Sequence, residues 1–207
     1  MRTLAVLLLA TLPAPALAQE GGTSTPVEST AHRHLGFFLR ADLGAGYLHS
    51  RASQSGATES VSSVSIPLGL ALGAAVAENW ILGAELWFAY GPTPSISLNS
   101  TSTSPSDSRV FLGNLGLAVV HYFMPANVYV SLAPGVSRVE LTLQGNTART
   151  SYGFGAKLAV GKEWWVSDHW GIGLAIEALF AINQDSGTNP PTWTTLGGGL
   201  TFSATFN

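Results

Sequence analysis

The chain has no cysteine, and charged residues make up only 10% of it. The first absence rules out a disulfide framework and a thiolate metal site. The second separates the chain from soluble domains, in which about 25% of residues carry charge. A third absence is equally informative. Beyond the N-terminal segment no apolar run reaches the roughly 20 residues of a spanning helix, because glycine and serine break every candidate. Low charge without a spanning helix suits a wall of strands, whose apolar residues alternate instead of clustering. The net charge of −3 lacks the basic excess of a nucleic-acid binder, and no nucleic-acid partner is expected.

The first residues read as an export signal. Arg2 supplies the positive start, Leu4 to Leu12 is an apolar run too short to span a bilayer, and Ala16-Leu17-Ala18 is a small-x-small cleavage site. Residues 1–18 are therefore assigned to a signal peptide, with the mature chain starting at Gln19 and carrying a net charge of −4 once Arg2 is gone. Residues 19–34 are polar, with Gly21-Gly22, a Ser/Thr cluster and Pro26, and are expected to form a flexible periplasmic leader. His32 and His34 at its end are read as solvated linker histidines, since no third metal ligand lies near in sequence.

Period-two alternation begins at residue 35 and runs to the end. The terminal segment shows it most clearly. Leu196, Leu200, Phe202, Ala204 and Phe206 share one face, and Thr195, Gly197, Gly199, Thr201, Ser203 and Thr205 share the other. Seven further segments repeat the pattern, about 35–48, 61–76, 80–90, 109–123, 128–139, 151–164 and 170–182. The connections alternate in length. Short ones lie at 77–79, 124–127 and 166–169, and long polar ones near 49–60, 91–108, 140–150 and 183–192. This sorting predicts an all-β fold. It is a closed, eight-stranded, antiparallel up-and-down transmembrane β-barrel over 35–207, with short periplasmic turns and long extracellular loops. Pro67 and Pro134 fall inside strand segments, where either bulges or strand segments beyond the hydrocarbon region are expected, because a proline removes a ladder donor. The stretch 99–108 is nearly low-complexity and reads as a mobile loop.

These alternating strands, the loop asymmetry, the aromatic strand ends and Phe206 near the terminus resemble the small eight-stranded outer-membrane barrels of the OmpA/OmpX type. The resemblance implies residence in the outer membrane of a Gram-negative-type bacterium after export through the periplasm. It also implies outer-membrane lipid as a partner, and recognition by the barrel-insertion machinery of a near-terminal aromatic residue, here Phe206. Asn207 displaces that signal by one position.

Parity then assigns the polar residues. Arg40, Asp42, Glu85, Lys157 and Glu177 point to the lumen. Each lies roughly five to seven residues from the short-turn end of its strand, which at about 3.3 Å per residue places them in one layer near mid-wall. Buried charges persist when paired and hydrogen-bonded, so a salt-bridge layer that blocks the lumen is the leading expectation. The alternative is a gate that opens a narrow channel for small solutes. Phe38, Trp87 and Leu112 are the bulky inward exceptions among many inward glycines and alanines. That balance predicts a flattened barrel or small water-filled cavities on both sides of the charge layer.

Two aromatic belts at the interfaces are expected. Trp80, Phe123, Trp164, Trp165 and Trp170 form one near the short turns, and Tyr47, Tyr90, Tyr152 and Trp193 the other near the long loops. Arg51, Arg109, Arg138 and Arg149 fall on the loops or the outer rim, where they serve either as contacts to lipid phosphates or as ordinary solubilising charge. No catalytic residue, cofactor or metal site is expected. A lipid-modifying enzyme of the lipid A deacylase kind places a His and a Ser two positions apart on the outer wall, and two positions after His49, His121 and His169 stand Arg51, Phe123 and Gly171. The reading is a structural or surface-interaction barrel, with the external loops available to an extracellular ligand.

Overall fold

The structure, a computed structural model, describes residues 33–186 and 189–207. The expected signal peptide and most of the expected leader, residues 19–32, lie outside the described residues. Among the described residues the chain forms eleven strands. They are β1 (Phe37–Gln54), β2 (Ala57–Ala77), β3 (Trp80–Pro92), β4 (Ser95–Leu98), β5 (Thr101–Thr103), β6 (Ser108–Phe123), β7 (Val128–Leu143), β8 (Asn146–Arg149), β9 (Gly153–Trp165), β10 (Trp170–Gln184) and β11 (Thr192–Phe206).

Eight of them close a ring. The antiparallel order β1-β11-β10-β9-β7-β6-β3-β2 returns to β1 through the β1–β2 pairing. Closure gives every strand of the ring a pairing partner on both sides, the condition for a sheet in hydrocarbon. The ring confirms the eight-stranded antiparallel barrel and the three short turns.

The side-chain alternation fits that ring. Leu43, Leu70, Leu115, Leu117, Val136, Ile176 and Leu200 project outward and are about half exposed or more. Their neighbours along the chain project inward, as with buried Asp42 beside Leu43 and buried Thr201 beside Leu200, and Asp42 is in register with buried Ser203. Such a continuous apolar exterior exceeds the patches that water-soluble monomers tolerate. Against acyl chains it is the favourable surface.

The outer end differs from expectation. Three of the four stretches read as long loops are largely paired backbone. β1 and β2 continue to a turn at Ser55-Gly56, and β7 and β8 meet at Gln144-Gly145. Both turns have positive φ at their two central residues (51° and 84°, 48° and 81°), the signature of the type I′ turn that matches hairpin twist. The stretch beginning at Asn99 is not a free loop either. β4 pairs with β2 and with β5, and the backbone N–H of Asn99 donates to Thr58 O while the Thr58 N–H donates to Asn99 Oδ1.

The prolines produce no bulge. The β1–β2 register runs Leu43↔Leu68 and resumes at Gly46↔Ser65, with the offset unchanged across Pro67. The β6–β7 register runs Gly116↔Gly135 and resumes at Val119↔Leu132, again unchanged across Pro134. Each proline removes local rungs on one side and keeps its place on the other, as in Pro67↔Ala89 and Pro134↔Ala156. The one register shift in the β2–β3 ladder lies at Ala75/Ala77, beside the short turn.

Candidate functional site

The five inward charges meet in one cluster. Arg40 and Asp42 come from β1, Glu85 from β3, Lys157 from β9 and Glu177 from β10, and all five are buried. Small residues beside them make the approach possible. Ala71 and Gly116 flank Glu85 in register, Ala133 flanks Lys157, and Ala159 and Gly199 flank Glu177.

Lys157 is the hub. Its Nζ contacts the Glu85 carboxylate and lies 3.6 Å from Asp42 Oδ2 and 3.9 Å from Glu177 Oε2. Arg40 closes the other side, with Nη2 4.0 Å from Glu85 Oε2 and donating to Ser131 Oγ at 3.1 Å. The Arg40 guanidinium also stacks over the Tyr129 ring, 4.7 Å from its centre.

A sixth charge escaped the sequence reading. Glu163 on β9 is buried and accepts hydrogen bonds from Thr205 Oγ1 at 2.6 Å and Tyr122 Oη at 3.1 Å. It shares the parity of Lys157, six residues earlier, and that parity was the available signal. Two cations thus serve four carboxyl groups along the axis.

Apolar clusters occupy much of the lumen on both sides of this layer, where the sequence predicts a flattened barrel or small water-filled cavities. Toward the outer mouth lie Leu48, Trp87, Leu112, Val110 and Leu179. Toward the short turns lie Phe38, Ile81, Val120, Tyr122 and Tyr129. Several inward glycines leave no hole, because a neighbouring strand's side chain lies over them. A Cβ on Gly161 would fall 2.6 Å from the Tyr129 ring, and one on Gly173 would fall 2.8 Å from Glu163 Cγ. Asp42 occupies the space over Gly69 in the same way. Trp87 is held by polar contacts: with its amide oriented to suit both partners, Asn114 accepts from Trp87 Nε1 at 3.0 Å and donates to Val136 O at 3.2 Å.

The mouth at the short turns is filled by a residue expected in the leader. His34 is fully buried and stacks on Tyr122 with ring centres 3.5 Å apart. With its proton on Nε2 it donates to Asn127 Oδ1 at 2.8 Å. Burial holds its imidazole below the ordinary value of 6.5, with the Asn127 bond pulling the other way. Asn207 is tied down nearby, its side-chain amide donating to Phe37 O and its backbone to His169 O.

Two of the expected belt residues face inward. Trp165 shares the parity of Glu163 and packs against the His34 ring at 5.1 Å. Trp193 shares the parity of Thr195, packs on the upper apolar cluster and donates from Nε1 to Asp185 Oδ2 at 3.1 Å. Position along the strand assigned both to the belts, whereas parity decides which way they point. Trp80, Phe123, Trp164 and Trp170 project outward near the short turns, and Tyr47 and Tyr152 near the outer end. Tyr90 is outward and half-buried. Phe206 also faces out and packs against Trp170, with ring centres 5.3 Å apart.

The arginines divide. Arg109, Arg138 and Arg149 lie on neighbouring strands of one outer face, since Arg109 opposes Thr142 and Arg149 opposes Glu140. Arg138 donates from Nε to Thr150 O at 3.0 Å and covers the Tyr152 ring. Arg149 is held by Glu140 at 2.9 Å. Arg51 stands apart on β1, opposite Ser60 and Thr194.

The outer wall also joins a pair that no linear spacing revealed. His49 Nδ1 and Ser62 Oγ lie 2.8 Å apart across the β1–β2 ladder. Nucleophilic activation needs a third group to orient the base. The nearest carboxyl on these strands, Glu59, opposes Ala52 on the inward face. Among the described residues no cluster of three or more His, Asp or Glu side chains is arranged to hold a metal ion.

No protein-family model matches the chain, and no curated protein sequence matches it. Solved structures do. Neisserial surface protein A is 15% identical, with a TM-score of 0.54 over 83% of this chain and 96% of that one. The outer membrane protein OprG from Pseudomonas aeruginosa is 14% identical, with a TM-score of 0.48 over 84% and 98%. The outer membrane protease OmpT from Escherichia coli is 9% identical, with a TM-score of 0.42 over 88% and 99%. What this chain has in common with the Neisserial protein is the fold, a small β-barrel closed by the antiparallel ring described above.

Proposed function

We propose that this protein is an integral outer-membrane barrel that conducts no solute and acts through its external surface. The observation that carries this reading is the buried cluster around Lys157, enclosed above and below by apolar side chains. A solvated ion would have to displace paired charges and then pass between packed, largely apolar side chains on either side. The apolar exterior and the ring closure support residence in a bilayer, and the fold shared with outer-membrane barrels supports the outer membrane as that bilayer.

Planar-bilayer recording tests the reading. The reconstituted protein is expected to give no unitary current steps. Stable steps altered by Glu85→Gln or Lys157→Met would favour the narrow-channel alternative. The protein is not an enzyme on this reading. Incubation with lipid A should leave its acyl chains unchanged, and hydrolysis lost in His49→Ala would overturn that part.

The outer rim supports a lipid contact. Arg109 stands beyond outward Phe111 on β6, and Arg138 shares a register row with Phe88 through Gly113, so that guanidinium groups would meet lipid phosphates beside rings that meet the start of the acyl region.

A further inference from the structure

We infer that the outer mouth of the barrel is a binding site for small organic cations with a ring-sized apolar body. This deepens the reading of a surface-acting barrel and rests on it for the side of the membrane that the mouth faces. Two adjoining cavities open there. The first, about 200 Å³, has walls of Val61, Ile96, Val110, Val139, Leu141 and Trp193. The second, about 390 Å³, is mostly polar and includes Gln54, Asn189 and Pro191. Glu59 and Asp185 line both, so two carboxylates stand where the apolar space gives way to the polar one.

The chemistry follows from that juxtaposition. An apolar cavity of about 150 Å³ accommodates benzene, so the inner space takes a single ring with a short chain. An indole wall favours an aromatic body and attracts a cation near its face. Trp193 Nε1 donates to Asp185 Oδ2 at 3.1 Å, which fixes this carboxylate at the edge of the ring. The cation that also lines the inner cavity, Arg149, is engaged by Glu140 at 2.9 Å on the outer face. A ligand ammonium therefore meets the two acids without a competing side-chain cation held between them. A neutral ligand would gain only the cavity, and an anionic one would be repelled.

The test uses the full mature protein in detergent and phenethylamine as the probe, with 2-phenylethanol as its neutral isostere and 3-phenylpropionate as the anion. Calorimetry should show the amine binding at least about tenfold more tightly than the alcohol, with the acid weakest. The Glu59→Gln/Asp185→Asn double variant should lose that preference, and Ala148→Trp, which fills the inner cavity from an exposed position on β8, should abolish binding. Equal binding of amine and alcohol overturns the inference. So does an amine preference that survives the double variant, or the absence of saturable amine binding in the millimolar range. A heat-modifiability gel verifies that each variant is folded. Labelling of Ser102→Cys on intact cells with an impermeant maleimide reads sidedness separately, so a failed binding experiment with positive labelling counts against the ligand class alone.

Discussion

Lys157 Nζ lies against the Glu85 carboxylate at the barrel axis, and Asp42 and Glu177 flank the same ammonium at 3.6 and 3.9 Å. One cation therefore neutralises much of a three-carboxylate cluster. Replacing it with a methionine of similar length keeps the volume and strands the acids. Breaking a buried pair in this way costs about 3–5 kcal/mol. Lys157→Met should accordingly unfold at clearly lower urea concentration in lipid vesicles. Lys157→Met combined with Glu85→Gln should recover part of the loss, because one stranded charge is gone. Equal stability of Lys157→Met and the parent would mean that the ion pairs contribute nothing net.

The inward turn of Trp165 and Trp193 yields an optical prediction. Acyl chains carrying bromine quench indoles that face lipid. Single-tryptophan versions retaining Trp80, Trp164 or Trp170 should be quenched strongly, since each is nearly half exposed on the outer wall. Versions retaining Trp165 or Trp193 should be quenched little, because these rings pack against His34 and the upper cluster. Comparable quenching at all five would contradict the assignment of faces.

Parity explains how much of this was legible in advance. Strict alternation has one phase per strand, so Arg40, Asp42, Glu85, Lys157 and Glu177 could be placed in the lumen from order alone. The same rule reaches Glu163, Tyr122 and Tyr129, which lie near strand ends where the outward residues thin out and the phase is harder to follow. The rule does not reveal partners across strands. His49 and Ser62 meet only through the register of β1 on β2. The outer hairpins were hidden for a different reason. The β1–β2 hairpin carries Ser and Thr on both faces, and on β7 the apolar period switches to the inward face at Val139, Leu141 and Leu143, so neither continues the outward apolar pattern of the wall. Their turns did carry a local signal in Ser55-Gly56 and Gln144-Gly145, where glycine takes the second positive φ.

Glycine placement makes a graded prediction. Gly161 lies opposite Tyr129 in the β7–β9 ladder, with the ring over its Cα. Gly161→Ala forces that ring to shift, and Gly161→Val forces more. Overpacking of this kind costs about 1–3 kcal/mol. Stability should therefore fall in the order Gly, Ala, Val. Arg40 stacks on the displaced ring, so the change should couple to the charge layer. An Arg40→Met background should then soften the loss, measured as a double-mutant cycle in the same unfolding assay.

His34 gives the pH dependence. It precedes β1, is buried at the short-turn mouth, and is held neutral by burial with its folded-state value below 6.5. The sign follows from linkage: the unfolded chain binds the proton more readily than the folded one. The contribution of His34 is thus complete above about pH 6.5 and is lost as pH falls toward the folded-state value. Stability measured at pH 7.5 and at pH 5 should differ more in the parent than in His34→Phe, which keeps a ring on Tyr122 and cannot be protonated. Identical pH profiles would remove His34 from the account.

The rim arginines are the last point that can be separated by experiment. Arg149 is paired with Glu140, whereas Arg109 has no carboxylate opposite it in the ladder, where Thr142 stands. If phosphate is the partner, removing Arg109 or Arg138 should reduce the amount of phosphorylated glycolipid that stays with the protein through detergent purification. Arg149→Ala should have a smaller effect, because its charge is already engaged. Mass spectrometry of the retained lipid reads this directly. Lysine at position 109 should rescue retention only in part, since an ammonium lacks the planar fork that binds phosphate through two hydrogen bonds. Raising the salt concentration should weaken retention in the parent and flatten its difference from Arg109→Ala, because exposed charges are screened over about 10 Å at 0.1 M. Retention that ignores both salt and the two arginines would assign these side chains to solvation alone.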